Sequence, residues 1–439
     1  MAPSPTGNFH IGGVRTALFN YLFAKQNAGD FILRIDDTDT QRSSAEFEAD
    51  ILGTFTWLHL IHDEVYRQSE RTDLYISCLN KLLKSGDAYE AEESSGVEGS
   101  GRVIRMRNPN KEVVFNDIIL GEIKINTGDL GDFIIARNAT NPLYHLANVV
   151  DDGELEISHI IRGQEHLANT PRQIIILEAL GYKRPQYAHI PLILNASGGK
   201  LSKRDPETKS ATEHRHNGIL PEALINFLAF LGWNPGTEQE IYHIHDLVKD
   251  FNLSKVQKKP AIYNHDKLLW FNREYLNMMN DNEFAIYSKD IINHMRARFD
   301  NTFSENIFNK LIPNIRERTD SLAGLNREVD AGEYDYFFQD PQVDIAKLSW
   351  KDTKLEFTYE HLRYIRDKLS HLAEQDFSKD KIKSVVWNYA EDNGRGNVLW
   401  PIRYALTGRE QSPDPFTVAE VLGREETLRR LAAVLENEV

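Results

Sequence analysis

Two short patterns stand about 190 residues apart in this chain. The first is Ala2-Pro3-Ser4-Pro5-Thr6-Gly7-Asn8-Phe9-His10-Ile11-Gly12-Gly13, and the second is Gly199-Lys200-Leu201-Ser202-Lys203-Arg204. Each is weak alone: His10 then reads as a solvated loop histidine, and the lysines as a solvated basic loop. Together, in this order, they read as two halves of one nucleotide site, which a fold must bring together. The chemistry they suit is adenylation of a carboxylate.

Joining a carboxylate to the α-phosphate of ATP sets two anions against each other. Further charge gathers on the phosphate oxygens and the departing pyrophosphate, so fixed donors and cations aimed there are the effective catalyst. Little proton transfer is required, because the carboxylate is already ionised at neutral pH. His10 lies on a loop before a helix that begins near Gly12. A helix start offers unpaired N–H groups and partial positive charge. Gly12 and Gly13 let a nucleotide approach the backbone, and Pro3 and Pro5 stiffen the approach. Lys200, Lys203 and Arg204 add positive charge on a loop hinged at Gly198-Gly199. His10, Lys200 and Lys203 are the candidate catalytic residues, and Gly12, Gly13, Leu201, Ser202 and Arg204 complete the expected ATP site.

Arg34-Ile35-Asp36-Asp37-Thr38-Asp39 lies between the two patterns, at the end of an expected strand. An α/β sheet places its ligands there. The three carboxylates admit three readings: a site for the magnesium that accompanies ATP, a plain acidic turn, or a carboxylate that holds a substrate ammonium, which is preferred. Arg162 ends another expected strand. It suits a bidentate grip on a substrate carboxylate, with a surface ion pair as the alternative.

Length bounds the architecture: 439 residues suggest about three domains. No apolar run approaches the roughly 20 residues of a membrane span, and no secretory pattern opens the chain. One cysteine, Cys78, excludes an intrachain disulfide and a multi-cysteine metal cage, and reads as a small core residue. A cytoplasmic location is expected. The net charge of −15 argues against general nucleic-acid packaging but permits one chosen RNA on a local basic face.

Periodicity sets out the order of elements. A helix is expected over 14–26, a strand over 31–35, and helices near 44–58 and 70–85. Ser94-Ser95-Gly96 and Gly99-Ser100-Gly101 mark a link. Short strands around Val113, Val114, Ile118, Ile119, Ile123, Ile125, Ile134 and Ile135 then suggest an insertion between two halves of a nucleotide-binding fold. A strand at 157–161, a helix capped by Thr170 with Pro171 first, a strand over 187–194 and a helix over 221–231 follow. Beyond about 278 helical spacing dominates. Gly394–Gly396 interrupts it before a last pair of helices.

These patterns resemble the class I aminoacyl-tRNA synthetases, specifically the bacterial-type glutamyl branch. The resemblance spans essentially the whole chain. It includes Tyr144-His145-Leu146-Ala147-Asn148-Val149-Val150-Asp151-Asp152, Ile161-Arg162-Gly163-Gln164-Glu165-His166-Leu167, Gly218–Leu224 and Gly396–Arg403. It implies a Rossmann-like α/β catalytic domain in two halves (1–68 and 143–195) around a connective insertion (69–142) that holds the tRNA acceptor end. A stem-contact region (196–277) and an all-helical anticodon-binding domain (278–439) complete the implied architecture. His10–Gly13 and Lys200–Arg204 stand at the family's two nucleotide motifs. Carried over by position, Ser4, Asp36, Tyr144, Asn148 and Arg162 line the glutamate pocket. The implied reaction joins L-glutamate to tRNA(Glu) through a glutamyl-adenylate, with ATP and Mg2+ as the substrate complex. The family generally activates glutamate only with tRNA bound, and its members are by default monomers. Arg318, within Arg316–Leu322, matches an arginine linked to rejecting glutamine anticodons; an exposed helix charge is the alternative. Tyr334, Tyr336, Phe337, Phe338 and Trp400 suit core packing better than base stacking.

Three departures from the family bear on this. The family has a strand ahead of the first motif, with an arginine just before the alanine, and here the chain begins at Met1-Ala2. That leaves a non-catalytic or impaired tRNA-binding paralogue as the alternative function. Asp36 stands where relatives usually carry glutamate, so it would reach an ammonium from further back. The insertion lacks zinc cysteines, so no structural zinc is expected, and no other protein-bound metal.

Overall fold

The structure, a computed structural model, describes residues 1–39, 41–92, 101–199, 201 and 209–436. The chain divides into two compact units, Met1–Asn272 and Arg273–Val439.

The first unit opens with α1 (Ile11–Gln26), which buries Val14, Leu18 and Leu22 on one face. β1 (Ile32–Ile35), α2 (Ala45–Trp57) and β2 (Glu64–Arg67) follow, and the two strands pair in parallel. Met1 and Pro3 flank β1 on its other side. Met1 N donates to Ile32 O at 2.8 Å, Arg34 N to Met1 O at 2.9 Å, and Asp36 N to Pro3 O at 2.9 Å. That is the slanted bonding of a parallel pair, so the start of the first motif runs alongside β1.

Next come α3 (Thr72–Ser85), β3 (Ala88–Glu92), β4 (Arg102–Met106), β5 (Glu112–Asp117), β6 (Gly121–Asn126), β7 (Phe133–Asn138) and β8 (Asn141–Pro142). The link expected at residues 94–100 lies outside the described residues. Strands β3, β4, β7 and β8 form one antiparallel sheet. The β5–β6 hairpin goes elsewhere. After α4 (Tyr144–Glu154), β9 (His159–Gly163), α5 (Thr170–Leu180) and β10 (Gln186–Ile190), the order β6-β5-β10-β9 joins that hairpin to the later strands. The contact between β5 and β10 is parallel, at Tyr187 and Asp117. One core spans both parts, with Cys78, Leu79, Ile104, Ile135, Val150 and Ile176 all buried.

Two expectations shift here. Strand 187–194 is broken: β10 ends at Ile190, Pro191 brings no N–H to the ladder, and β11 (Ile193–Leu194) resumes beyond it. Thr170 lies inside α5, with Asn169 in the cap position. Its hydroxyl faces Arg162 and His189 instead of the helix start.

The unit closes with α6 (Ala211–His216), α7 (Pro221–Phe230), α8 (Ile244–Asp250), β12 (Ala261–Ile262) beside β11, and α9 (His265–Met278), in which the division between units falls. Helix α7 carries apolar residues nearly all round and packs on α1. Arg15, buried in α1, donates to Leu231 O at 2.9 Å and to Pro191 O. It thereby fixes α1 to the end of α7 and the break after β10.

The second unit is helical: α10 (Asp281–Tyr287), α11 (Lys289–Phe299), α12 (Glu305–Arg318), α13 (Leu322–Asp330), α14 (Leu355–Ser370), α15 (Lys379–Asn393), α16 (Arg395–Thr407), α17 (Pro415–Leu422) and α18 (Arg424–Leu435). Three helices follow Gly394 rather than two. Tyr334, Tyr336, Phe337 and Phe338 are buried, and the Phe338 ring stacks on Phe299 and Phe303. Trp400 is half-buried, its indole N–H on Lys347 O at 3.0 Å. Among the described residues no helix is long and apolar enough to cross a membrane.

Candidate active site

A cavity of about 580 Å³ opens in the first unit. Its lining includes His10, Gly12, Gly13 and Leu201. Ser4, Asp36, Tyr144, Asn148 and Arg162 line it too. The cavity thus brings together residues that the sequence spreads from 4 to 201. Lys200, Ser202, Lys203 and Arg204 lie outside the described residues. Arg318 belongs to the second unit, exposed in the last turn of α12.

His10 is the cap of α1, with extended backbone and its Nδ1 accepting from Gly13 N–H at 3.3 Å. An accepting Nδ1 leaves the ring proton on Nε2 in the neutral form. The histidine therefore offers a donor at a helix start, where an anion is already favoured. The two glycines have a local cause as well. A Cβ on Gly12 would lie 3.0 Å from the His10 ring, and one on Gly13 would lie 2.5 Å from the Phe9 ring. Both rings fold over the glycines, so a side chain at either position would displace the capping segment.

The three carboxylates after β1 part company. Asp37 accepts from the Ser69 N–H and hydroxyl at 2.8 and 2.6 Å. Asp39 pairs with Arg42 at 2.6 Å. Asp36 turns inward and meets Arg34 Nε at 2.7 Å and Nη2 at 3.2 Å. Arg34 also reaches Asp152 at 2.8 Å and so ties β1 to α4. Burial pushes the Asp36 carboxyl up to about 6, against the pull of Arg34. Each Asp36 oxygen keeps a second acceptor direction for a substrate ammonium.

Arg162 sits opposite in charge. It lies in β9, and its parallel neighbour on β10 is His189. Arg162 Nε donates to His189 Nε2 at 3.3 Å, and Nη2 donates to Thr170 Oγ1 at 2.9 Å. Among the described residues no carboxylate forms an ion pair with it. Burial lowers its affinity for the proton, with the nearby Asp152 carboxylate opposing that. A half-buried guanidinium held only by neutral groups has its charge available for an incoming carboxylate. His189 is in turn held by Asp117 from β5, at 2.6 Å. Asp117 also accepts from the Ile119, Leu120 and His189 amides. Burial alone would raise its carboxyl, but these bonds hold it below the ordinary range.

Sequence reasoning missed the supporting set of Arg34, Gln68, Asp117, Asp152 and His189. Asp117 left one usable signal: it falls in phase with the inward residues Val113 and Phe115 of β5. An acid in an apolar phase marks a buried partner. Gln68 left none.

The cavity therefore offers a carboxylate for a cation, a guanidinium for an anion, and a helix start for a phosphate. That division suits an amino acid beside a nucleotide, as in an amino-acid-activating enzyme. Two family models match the chain: the catalytic domain of tRNA synthetases class I (E and Q), over residues 1–97 and 90–270, and an anticodon binding domain over 283–435. The chain belongs to the class I tRNA synthetases of the E and Q group. Among named proteins it is similar to the glutamate--tRNA ligase of Carboxydothermus hydrogenoformans, 36% identical over 98% of this chain and 98% of that ligase. The glutamate--tRNA ligase of Aquifex aeolicus is 36% identical over 99% of this chain and 98% of its own. Among solved structures, a glutamate tRNA ligase from Elizabethkingia meningosepticum in complex with its amino acid aligns with a TM-score of 0.83 and 34% identity. That match covers 99% of this chain and 98% of the other.

Proposed function

We infer that this protein is a glutamate–tRNA ligase, joining L-glutamate to tRNA(Glu) at the cost of ATP. Likeness to such ligases over 98–99% of the chain carries the reading. In the first step a glutamate carboxylate oxygen attacks the α-phosphorus and pyrophosphate leaves. In the second a ribose hydroxyl of the tRNA attacks the acyl carbon and AMP leaves.

The cavity supports roles for individual residues. Asp36 holds the ammonium of glutamate, Arg162 a carboxylate, and Ser4, Tyr144 and Asn148 complete the pocket. The start of α1 and the Nε2–H of His10 face the nucleotide phosphates. Lys200 and Lys203 neutralise the triphosphate, which enters as its magnesium complex. Lys203→Ala then slows activation by roughly 10²–10³, as loss of one oxyanion donor does elsewhere. The single cysteine, buried as Cys78, is in keeping with a cytoplasmic enzyme. The protein acts as a monomer.

Pyrophosphate exchange with glutamate, with and without tRNA(Glu), tests the reading. Exchange that requires the tRNA is expected; folded protein with no exchange in either case contradicts it. A non-catalytic tRNA-binding paralogue is not favoured, because the likeness to glutamate--tRNA ligases extends over essentially the whole chain.

A further inference from the structure

Asn148 is a pocket residue whose chemistry reverses by turning one bond. Its amide presents either two donor hydrogens or an acceptor oxygen. What lies behind it therefore decides what the cavity offers.

Behind it lies Gln68, fully buried and not part of the cavity lining. Gln68 Nε2 is 3.0 Å from Asn148 Oδ1 and 3.0 Å from Asp151 Oδ2. Asp151 is fully buried too, and accepts from Arg71 Nε at 2.7 Å and the Tyr75 hydroxyl at 2.9 Å. A carboxylate between such donors can only accept. Gln68 must therefore turn its NH2 toward Asp151. The second hydrogen of that NH2 faces Asn148, so Asn148 must answer with its oxygen. Its own NH2 is left for the cavity.

A second observation agrees. Gln68 Oε1 is buried with no hydrogen-bond partner among the described residues. An orphaned acceptor is unfavourable, yet turning the amide over would set that oxygen against the Asp151 carboxylate. The orphan marks an orientation imposed from one side.

We propose that Asp151 and Gln68 are positioning residues that lock Asn148 as a hydrogen-bond donor toward the bound amino acid, so that the pocket favours a carboxylate over a carboxamide. This rests on the reading of the cavity as the glutamate site. Glutamine, whose side-chain NH2 would meet a donor, is the ligand disfavoured.

The test measures glutamate KM and the inhibition constant of glutamine in tRNA(Glu) charging, with ATP KM and thermal midpoint as controls. Gln68→Met keeps the volume and removes the lock. Gln68→Glu, neutral when buried, donates its one O–H as a hydrogen bond to Asp151 and turns an acceptor oxygen to Asn148, inverting the lock. The ratio of glutamine inhibition constant to glutamate KM is expected to fall about tenfold in Gln68→Met, as when a pocket loses a fixed polar contact, and further in Gln68→Glu. ATP KM stays unchanged in both. Folded variants that keep the wild-type ratio, losing only kcat or stability, overturn the proposal. If Gln68→Glu does not fold, Gln68→Met decides alone. Asn148→Ala separates the two layers. A raised glutamate KM there, with unchanged selectivity in the Gln68 variants, refutes the lock and leaves the glutamate site standing. A wild-type glutamate KM in Asn148→Ala removes Asn148 from that site, and the proposal with it.

Discussion

Asp117 and His189 are both fully buried and meet at 2.6 Å, carboxylate against imidazole Nδ1. One comes from the β5–β6 hairpin and the other from β10. The pair fastens the hairpin to the sheet that carries Arg162. Asp117 accepts four hydrogen bonds in all. Asp117→Ala leaves three amides, two of them buried, and a buried ring nitrogen unsatisfied, and is expected to destabilise the protein by about 3 kcal/mol or more. The midpoint of denaturant unfolding checks this.

Arg162 is expected to act on glutamate alone. Its guanidinium is bonded to the neutral His189 and Thr170 side chains, so replacing it should remove a charge-assisted contact to the substrate carboxylate. Arg162→Ala should raise glutamate KM by roughly 10²-fold, in line with about 3 kcal/mol for such a contact. ATP KM should stay near wild type. Steady-state charging kinetics with each substrate varied in turn read both.

Asp36 is expected to set a lower pH limit on activity. Burial raises its carboxyl to about 6. Below that pH the carboxyl takes up a proton and no longer opposes the substrate ammonium. Glutamate KM should therefore rise about tenfold between pH 7 and pH 5. The sign separates this from unfolding. A folded value above the ordinary one favours the fold at low pH, and that contribution is lost as pH rises through 6. Asp36→Asn should raise glutamate KM at pH 7 and flatten its pH dependence between 7 and 5.

Gly13→Ala tests the packing of the first motif. Its Cβ would lie 2.5 Å from the Phe9 ring, which is itself buried. The ring must shift, and with it the residue before His10. The expected cost is about 1–3 kcal/mol of stability, together with a fall in kcat. Thermal unfolding and charging rates on the same preparation measure both.

Arg318→Ala addresses the choice of tRNA. The side chain is exposed at the end of α12, open to a partner. If it rejects glutamine anticodons, the variant should charge tRNA(Gln) about tenfold faster relative to tRNA(Glu), the size of one lost discriminating contact. Unchanged preference in a folded variant removes that role.

Much of this was legible in the chain. Helix α1 follows from Val14, Leu18 and Leu22, and the cavity residues from His10 to Arg162 follow from the motifs and the resemblance they carry. What was not legible depends on contacts across long stretches of chain. The Asp117–His189 pair spans 72 residues, and Gln68–Asn148 spans 80. No local periodicity encodes such pairs. Thr170 looked like a helix cap because that use is local; the tertiary partners Arg162 and His189 claimed its hydroxyl instead. In the sequence Gly12 and Gly13 suggest room for a nucleotide, while the His10 and Phe9 rings require them before any ligand arrives. The second motif contributes Leu201 to the cavity wall.

The most direct measurement is aminoacylation of tRNA(Glu) by the purified chain, with ATP and either glutamate or glutamine supplied. Glutamyl-tRNA should form, with one AMP released per ester made, and glutamine should give no product. Folded protein that binds the tRNA but leaves it uncharged with glutamate would contradict the account.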